Sequence, residues 1–502
     1  MMRRPAYRIR SLLILLGLVL LSACNQAPEG KRLRFGLASA PVNLDPRYAT
    51  DAASTRINRL LYRRLVEFDE RSQPIPGLAT WTMPDPAHYR IRLQEGGREF
   101  SDGSRLMARD VAATYRSVLD ADNASPNRGP LELIEHIEVL DPDTLDFHLS
   151  HPDPLFPAYL VLGILPASGI ESSAPFNTRP VGSGAFELEE WPDPGRLVLR
   201  RRQDDLLVEF IRVADPTVRV LKLLRGEIDL IQNDLPAELI SYLEEEETIR
   251  VEEAPGSNFS YLGFNLEDPV TGKLEVRQAI AHAIDRKAII RFALGDAARP
   301  ASALLPADHW SGHPELDAYG YNPDLSRRLL QGLNPGGDRK LSISYKTSTD
   351  AVRVRLATII QHQLGQVGID VRLQSYDWGT FYGDIKAGRF QMFSLAWVGI
   401  KTPDIFRHIF HSQSLPPSGA NRGRFSDPLV DRLIERAEAS ESMQAQASVF
   451  RELQTRLNEL LPYIPLWYED HVYAARGTVE GYRLASDGNY DGLEDVSVVA
   501  TK

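Results

Sequence analysis

Leu341-Ser342-Ile343-Ser344-Tyr345-Lys346 alternates apolar and polar side chains, as a half-buried strand does. Residues 351–366 then space their apolar side chains as a helix would, and Gly368 breaks the pattern. Ile369-Asp370-Val371-Arg372-Leu373-Gln374 alternates again, residues 381–387 return to helical spacing, and 390–397 form a third strand ending on Trp397. This β-α-β-α-β order predicts an α/β domain with some parallel pairing.

The same reading extends outward. Residues 54–65 and 108–120 are expected as helices, and 89–93 and 144–149 as strands, which suggests α+β packing in the first half. Val276, Ala279, Ile280, Ala283 and Ile284 recur on one helical face, and Arg277, Arg286, Lys287 and Arg291 are expected mostly off that stripe. Ser426-Asp427-Pro428 places a cap and a first-turn proline before another helix. The run Glu244-Glu245-Glu246-Glu247 reads as a solvated helix end.

The amino terminus fixes the compartment. Arg3, Arg4, Arg8 and Arg10 precede an apolar run of roughly ten residues, shorter than the ~18 needed to span a bilayer. A basic head followed by a short apolar middle is the pattern of an export signal. Leu21-Ser22-Ala23-Cys24 closes it and resembles the lipobox of bacterial lipoproteins, in which the cysteine is lipidated and becomes the first mature residue. Cys24 is the single cysteine among 502 residues, which rules out an intramolecular disulfide. The expectation is a protein lipid-anchored to a bacterial membrane, on its periplasmic or cell-surface side. A single acyl chain anchors only marginally, and stable attachment takes more than one.

A chain of this length predicts two or three domains. Its formal net charge of -11, with both signs interspersed, argues against nucleic-acid binding. No G-x-x-x-x-G-K-[ST] loop, G-x-S-x-G elbow or G-x-G-x-x-G turn is present. Of the eleven histidines, His408/His411 and His309/His313 stand three and four apart, but neither pair has further ligands nearby, so no metal site is assigned and no cofactor is expected. Asp487, Asn489, Asp491 and Gly492 imitate the start of a calcium loop, which fails at Val498, where a bidentate Glu belongs.

Several blocks, in order, resemble the family 5 extracellular solute-binding proteins, the oligopeptide-, dipeptide- and nickel-binding group of ABC importers. These are Phe100-Ser101-Asp102-Gly103 with Ala108-Arg109-Asp110-Val111; Pro180-Val181-Gly182-Ser183-Gly184-Ala185-Phe186; and Phe264-Asn265 with Val276-Arg277-Gln278-Ala279-Ile280 and Ala283-Ile284-Asp285-Arg286. Gly368-Ile369-Asp370-Val371 and Pro462-Tyr463-Ile464-Pro465-Leu466 follow. Each block also has a scaffold reading. Gly103 suits a turn beside Asp102, Asp110 suits a helix start, and Gly182 and Gly184 are expected to let the chain turn sharply between domains.

The resemblance implies an α/β fold of the periplasmic-binding-protein type II-like class, with two α/β lobes around a hinge plus an extra α+β domain. It implies a signal peptide at 1–23, a tether and the start of lobe I at 24–68, the extra domain at 69–177, and lobe I continued at 178–263. Lobe II follows at 264–479, with a return to lobe I at 480–502. It further implies a monomer that captures a peptide or other small solute by hinge closure and passes it to ABC permease and ATPase subunits, without enzymatic activity.

In peptide-binding members, Trp, two residues and then Asp hold the peptide's amino terminus. The corresponding stretch is Trp397-Val398-Gly399-Ile400, with Ile400 where Asp is expected. A buried unpaired ammonium costs several kcal/mol, so either another carboxylate compensates or the ligand presents no free amine there. Asp404 matches a different, downstream acidic position. Trp397, Val398, Gly399 and Ile400, with Asn258, Phe259 and Tyr261 at the preceding crossing, are the candidate ligand-binding residues. The competing readings are an exported hydrolase, or a nickel-binding, haem-binding or sensory member of the same fold.

Overall fold

The computed structural model describes residues 31–333, 341–417 and 419–499; Cys24 and the leader lie outside them. Among the described residues, the largest sheet has eleven strands. One end is built from the quoted stretch: Leu341–Ser348 pairs in parallel with both Ile369–Tyr376 and Met392–Trp397. At the other end Arg32–Leu37 lies parallel to Leu207–Arg212 and Leu230–Gln232, and Arg196–Arg201 and Phe186–Asp193 continue antiparallel.

Two long antiparallel strands, Ile249–Phe264 and Tyr463–Arg476, belong to both ends. Phe259 to Phe264 pair with Met392–Trp397, whereas Tyr473, Ala474 and Ala475 pair with Leu230–Gln232. Between these zones the register shifts from Ala254 to Asn258. Gly256 sits in the shift, donating its N–H to Asp470 and accepting from Arg299 at 2.6 Å. A Cβ there would meet the Glu469 carbonyl oxygen, so the crossing admits only glycine without rearrangement.

A separate antiparallel sheet, Ala79–Asp85, His88–Leu93, Thr144–Leu149 and Ile134–Asp141, packs with helix Ala108–Leu119 around its own core. The Asp110 carboxylate closes that helix start, accepting from Met107 N–H at 2.8 Å and, from farther along the chain, Ala167 N–H.

Local signals position several elements. Helix Ala351–Gln366 is capped by Asp350, whose oxygen accepts the Arg353 N–H, and the chain leaves it through Gly368 at φ +98°. Asp427 caps Pro428–Glu438 with proline in the first turn. The helix expected at 54–65 is Ala52–Leu61; it begins where Asp51 accepts the Ser54 N–H and ends where Tyr62 is extended.

Two expectations are corrected. Gly182 is not a turn residue, and Gly184, which does lie in a bend, is constrained by more than the turn. Gly184 N–H donates to the Leu61 carbonyl at 2.8 Å, and a Cβ on Gly182 or Gly184 would collide with the Leu61 or Leu60 carbonyl oxygen respectively. They allow one backbone to lie against another. Arg277 and Arg286 do not carry surface charge but are buried. Arg277 donates to the carbonyls of Leu461, Thr271 and Leu460. Arg286 reaches those of Pro465, Ala281 and Tyr319. Burial pulls both guanidinium groups down to about 10, and the helices Leu274–Ala283 and Arg286–Ala293 are thereby tied to the second crossing strand.

Candidate ligand-binding cleft

Trp397 ends strand Met392–Trp397 opposite Phe259. Its ring is half-buried, and the chain then turns outward through Val398, 54% exposed, and Gly399 at φ +71°. Ile400 packs back against the lobe core rather than presenting a polar group.

The next residue carries the charge. Lys401 extends toward the other lobe, where its ammonium pairs with the Asp487 carboxylate of the C-terminal segment and lies 5.1 Å over the Phe68 ring. Burial pushes the Asp487 carboxyl up, but the Lys401 ammonium and Arg59 guanidinium more than reverse this and hold it well below the usual range. The Lys401 carbonyl accepts from His309 Nε2 at 3.0 Å, while His309 Nδ1 receives the Ser311 N–H. A carbonyl only accepts, so the imidazole is the Nε2–H tautomer, and burial lowers it to about 4.

The acidic residues of the failed calcium pattern are thus committed elsewhere. Asp487 pairs with Lys401, and Asp491 pairs with Arg59.

Phe259 and Tyr261 lie in the core, fully buried. Phe259 stacks on Tyr261 at 5.8 Å and Tyr261 on Tyr463 at 4.1 Å. Asn258 stands at the register shift with its side-chain oxygen buried and lacking a partner among the described residues. The structure therefore brings Trp397, Val398, Gly399 and Ile400 to one loop, and sets Phe259 and Tyr261 beneath it.

Arg422, Tyr382 and Trp378, which the sequence did not single out, complete the surroundings of Trp397 together with Tyr261 and His408. Arg422 places its guanidinium 4.8 Å over the Trp397 ring and 5.2 Å over that of Tyr382. It donates to the hydroxyls of Tyr261 at 3.2 Å and Tyr382 at 3.1 Å. Trp378, 59% exposed, stacks on Tyr382 at 5.3 Å, and His408 meets the Trp397 ring edge-on. Only Trp378 had a legible local setting, one residue after the helix-capping Asp377. The arrangement offers aromatic faces and one cation, which suits a small polar solute rather than bond-breaking chemistry.

Residues of the 69–177 region also touch those that follow residue 264. Trp310 N–H donates to the Arg71 carbonyl at 3.1 Å, and Leu155, Ala158, Trp310 and Ala447 form a small apolar cluster. At its edge, burial raises Asp404 to about 6, with Asp153 adding like-charge repulsion.

The histidine pairs do not assemble as ligands: His313 contacts Thr455, and His411 contacts Glu435. Among the described residues the group with metal-ligand spacing is His88, Asp146 and His148, on the four-stranded sheet. Arg90 already engages both Asp146 oxygens, at 2.9 and 2.8 Å. No helix among the described residues is long and apolar enough to cross a membrane.

Comparison with known proteins gives a consistent result. Residues 73–414 match the family described as bacterial extracellular solute-binding proteins, family 5 Middle. The chain is 28% identical to di/tripeptide-binding protein 2 of Pseudomonas aeruginosa, over 96% of this chain and 97% of that one. It is 25% identical to the dipeptide-binding protein of Escherichia coli, over 94% and 95%. Among solved structures, the ABC transporter substrate-binding protein CtaP of Listeria monocytogenes superposes with a TM-score of 0.84. The match covers 94% of this chain and 100% of that one at 22% identity, a likeness of fold.

Proposed function

From a chain that belongs to the family 5 bacterial extracellular solute-binding proteins, and is thus a solute-binding protein rather than an enzyme, we infer capture of a short peptide or similar small solute by closure of the two lobes. The solute would then pass to the permease of an ABC importer, the protein being held at the membrane through a lipid on Cys24. The observation that carries this reading is the loop after Trp397. It leaves the second lobe at a strand end, where open α/β sheets commonly bind ligands, and reaches the first lobe through Lys401 and Asp487. The named specificities of the relatives support a peptide. The crossing strands support a hinge, because the register shift concentrates irregular backbone between two regular sheet halves. The domain partition given above and the monomeric state are parts of the same proposal.

Native mass spectrometry of protein purified without refolding tests it: co-purified masses of short peptides are expected. Protein that is consistently ligand-free, with no thermal shift across a peptide library, would overturn the peptide reading. A shift with nickel or haem alone would replace it with a metal or haem cargo.

A further inference from the structure

We propose that Arg422 receives an anionic group of the bound solute, in the slot between Trp397 and Tyr382, so that the cleft selects solutes carrying a carboxylate there. The proposal rests on the solute-binding reading and adds the chemistry of the ligand.

Arg422 is 8% exposed. Among the described residues it has no carboxylate within 4.0 Å, and its side chain makes only two hydrogen bonds, both to tyrosine hydroxyls. A guanidinium has five N–H donors. The other buried arginines of this protein show what saturation looks like: Arg277 gathers three backbone carbonyls, and Arg201 gathers three carbonyls and Asp204. Arg219 takes those of Val213, Ala214 and Asp234. Arg422 alone in this group is held by ring faces and phenols.

Two aromatic faces offset part of the desolvation of a cation, but the two phenol hydroxyls take only two of its five in-plane N–H groups and leave its charge uncancelled. A carboxylate fits that vacancy because it accepts two parallel N–H bonds and cancels the charge. The aromatic pair borders solvent: Trp378, stacked on Tyr382, and Val398, next to Trp397, are both exposed. The neighbouring charge pattern points the same way. Ile400 offers no carboxylate and Asp487 is taken by Lys401, so this loop provides no free carboxylate for an amine, whereas Arg422 keeps its charge.

The test uses the full mature protein, freed of co-purified ligand, and calorimetric titration with Ala-Glu-Ala, Ala-Gln-Ala and the C-terminal amide of each. Glutarate and glutaramide serve as non-peptide probes. At least tenfold tighter binding of an acid than of its amide counterpart is expected, at either the side chain or the C-terminus; the arm that shows it identifies which carboxylate docks. Arg422→Gln should abolish that preference and Arg422→Lys should retain part of it. Equal affinity for acid and amide in every pair would overturn the proposal, as would a preference that survives Arg422→Gln. The wild-type comparison decides even where the variant fails to fold. If no peptide binds but glutarate binds over glutaramide, the peptide reading falls and the anion site stands. Failure of every probe to bind counts against both.

Discussion

The Lys401 ammonium and the Asp487 carboxylate join the loop after the last strand of the quoted stretch to the C-terminal segment, across the gap between the lobes. Asp487 also receives the Asn489 N–H at 3.0 Å, so its carboxylate is fixed before the lysine arrives. The two partners stand on different lobes, so parting of the lobes would break the pair.

Removing one partner should therefore favour separation. Lys401→Met removes the ion-pair partner of the buried Asp487 and leaves it only the Arg59 guanidinium, so the loss should stay below the ~3–5 kcal/mol of a buried pair broken one-sidedly. The lobes should relieve it by parting and hydrating the carboxylate. Small-angle scattering is expected to show a larger radius for Lys401→Met than for wild type, with Lys401→Met/Asp487→Asn falling between. Identical radii for all three would mean that the pair does not govern closure.

The loop also predicts a change of ligand. Ile400→Asp combined with Lys401→Met restores a carboxylate where peptide-binding relatives are expected to have one and removes the competing ammonium. Amine-bearing dipeptides should gain at least tenfold in affinity over their N-acetylated forms, measured by calorimetry.

Folding stability should depend on pH at Asp404. Its ordinary pKa of 3.8 rises to about 6 in the folded protein, so the native state holds the proton more tightly than the unfolded one. The associated stabilisation is present below pH 3.8 and is lost as pH rises through about 6. Burial raises Asp153 as well, in the same direction. Thermal melts across this range should show stability falling by about 2 kcal/mol from this site, and Asp404→Asn should flatten that slope. Asp487, held low, acts oppositely: its contribution disappears on strong acidification.

The buried arginines give a stability test. Arg277→Met keeps the bulk of the side chain but leaves the carbonyls of Leu461, Thr271 and Leu460 without their donor. At about 1–3 kcal/mol per orphaned buried group, a loss of about 3 kcal/mol or more is expected in chemical denaturation. A surface arginine of the same region, Arg291→Met, should change stability by less than about 0.5 kcal/mol.

Gly182→Ala should be costly for reasons of space. Its φ is ordinary, but the added methyl would strike the Leu61 carbonyl, and about 1–3 kcal/mol is expected from forced backbone movement. Gly103→Ala meets open space and carries only the strain of φ +83°, about 1 kcal/mol.

What was legible in the sequence is what neighbours decide. Helix Ala351–Gln366 was readable to the residue, because Asp350 caps it and Gly368 ends it within a few positions. The order of strands in the quoted stretch followed from period alone. Arg277 was misread because its acceptors at Leu460 and Leu461 lie some 180 residues away, where no local pattern can announce them. Gly182 looked like a turn for the same reason: its constraint is another backbone, at Leu61. The cleft residues divided likewise. The loop from Trp397 to Ile400 is a contiguous word, whereas Arg422 and Tyr382 come from separate segments and meet the candidate Tyr261 only in the fold.

The two crossing strands have a consequence for engineering. Ile249–Phe264 and Tyr463–Arg476 each lend residues to both halves of one sheet. Neither half can thus be excised with its hydrogen-bonded edge intact. A chimera that grafts the second lobe of a relative must carry both strands as a unit and place its junctions before residue 249 and after residue 476. A cut at either strand's midpoint would splice two registers that were never selected to match.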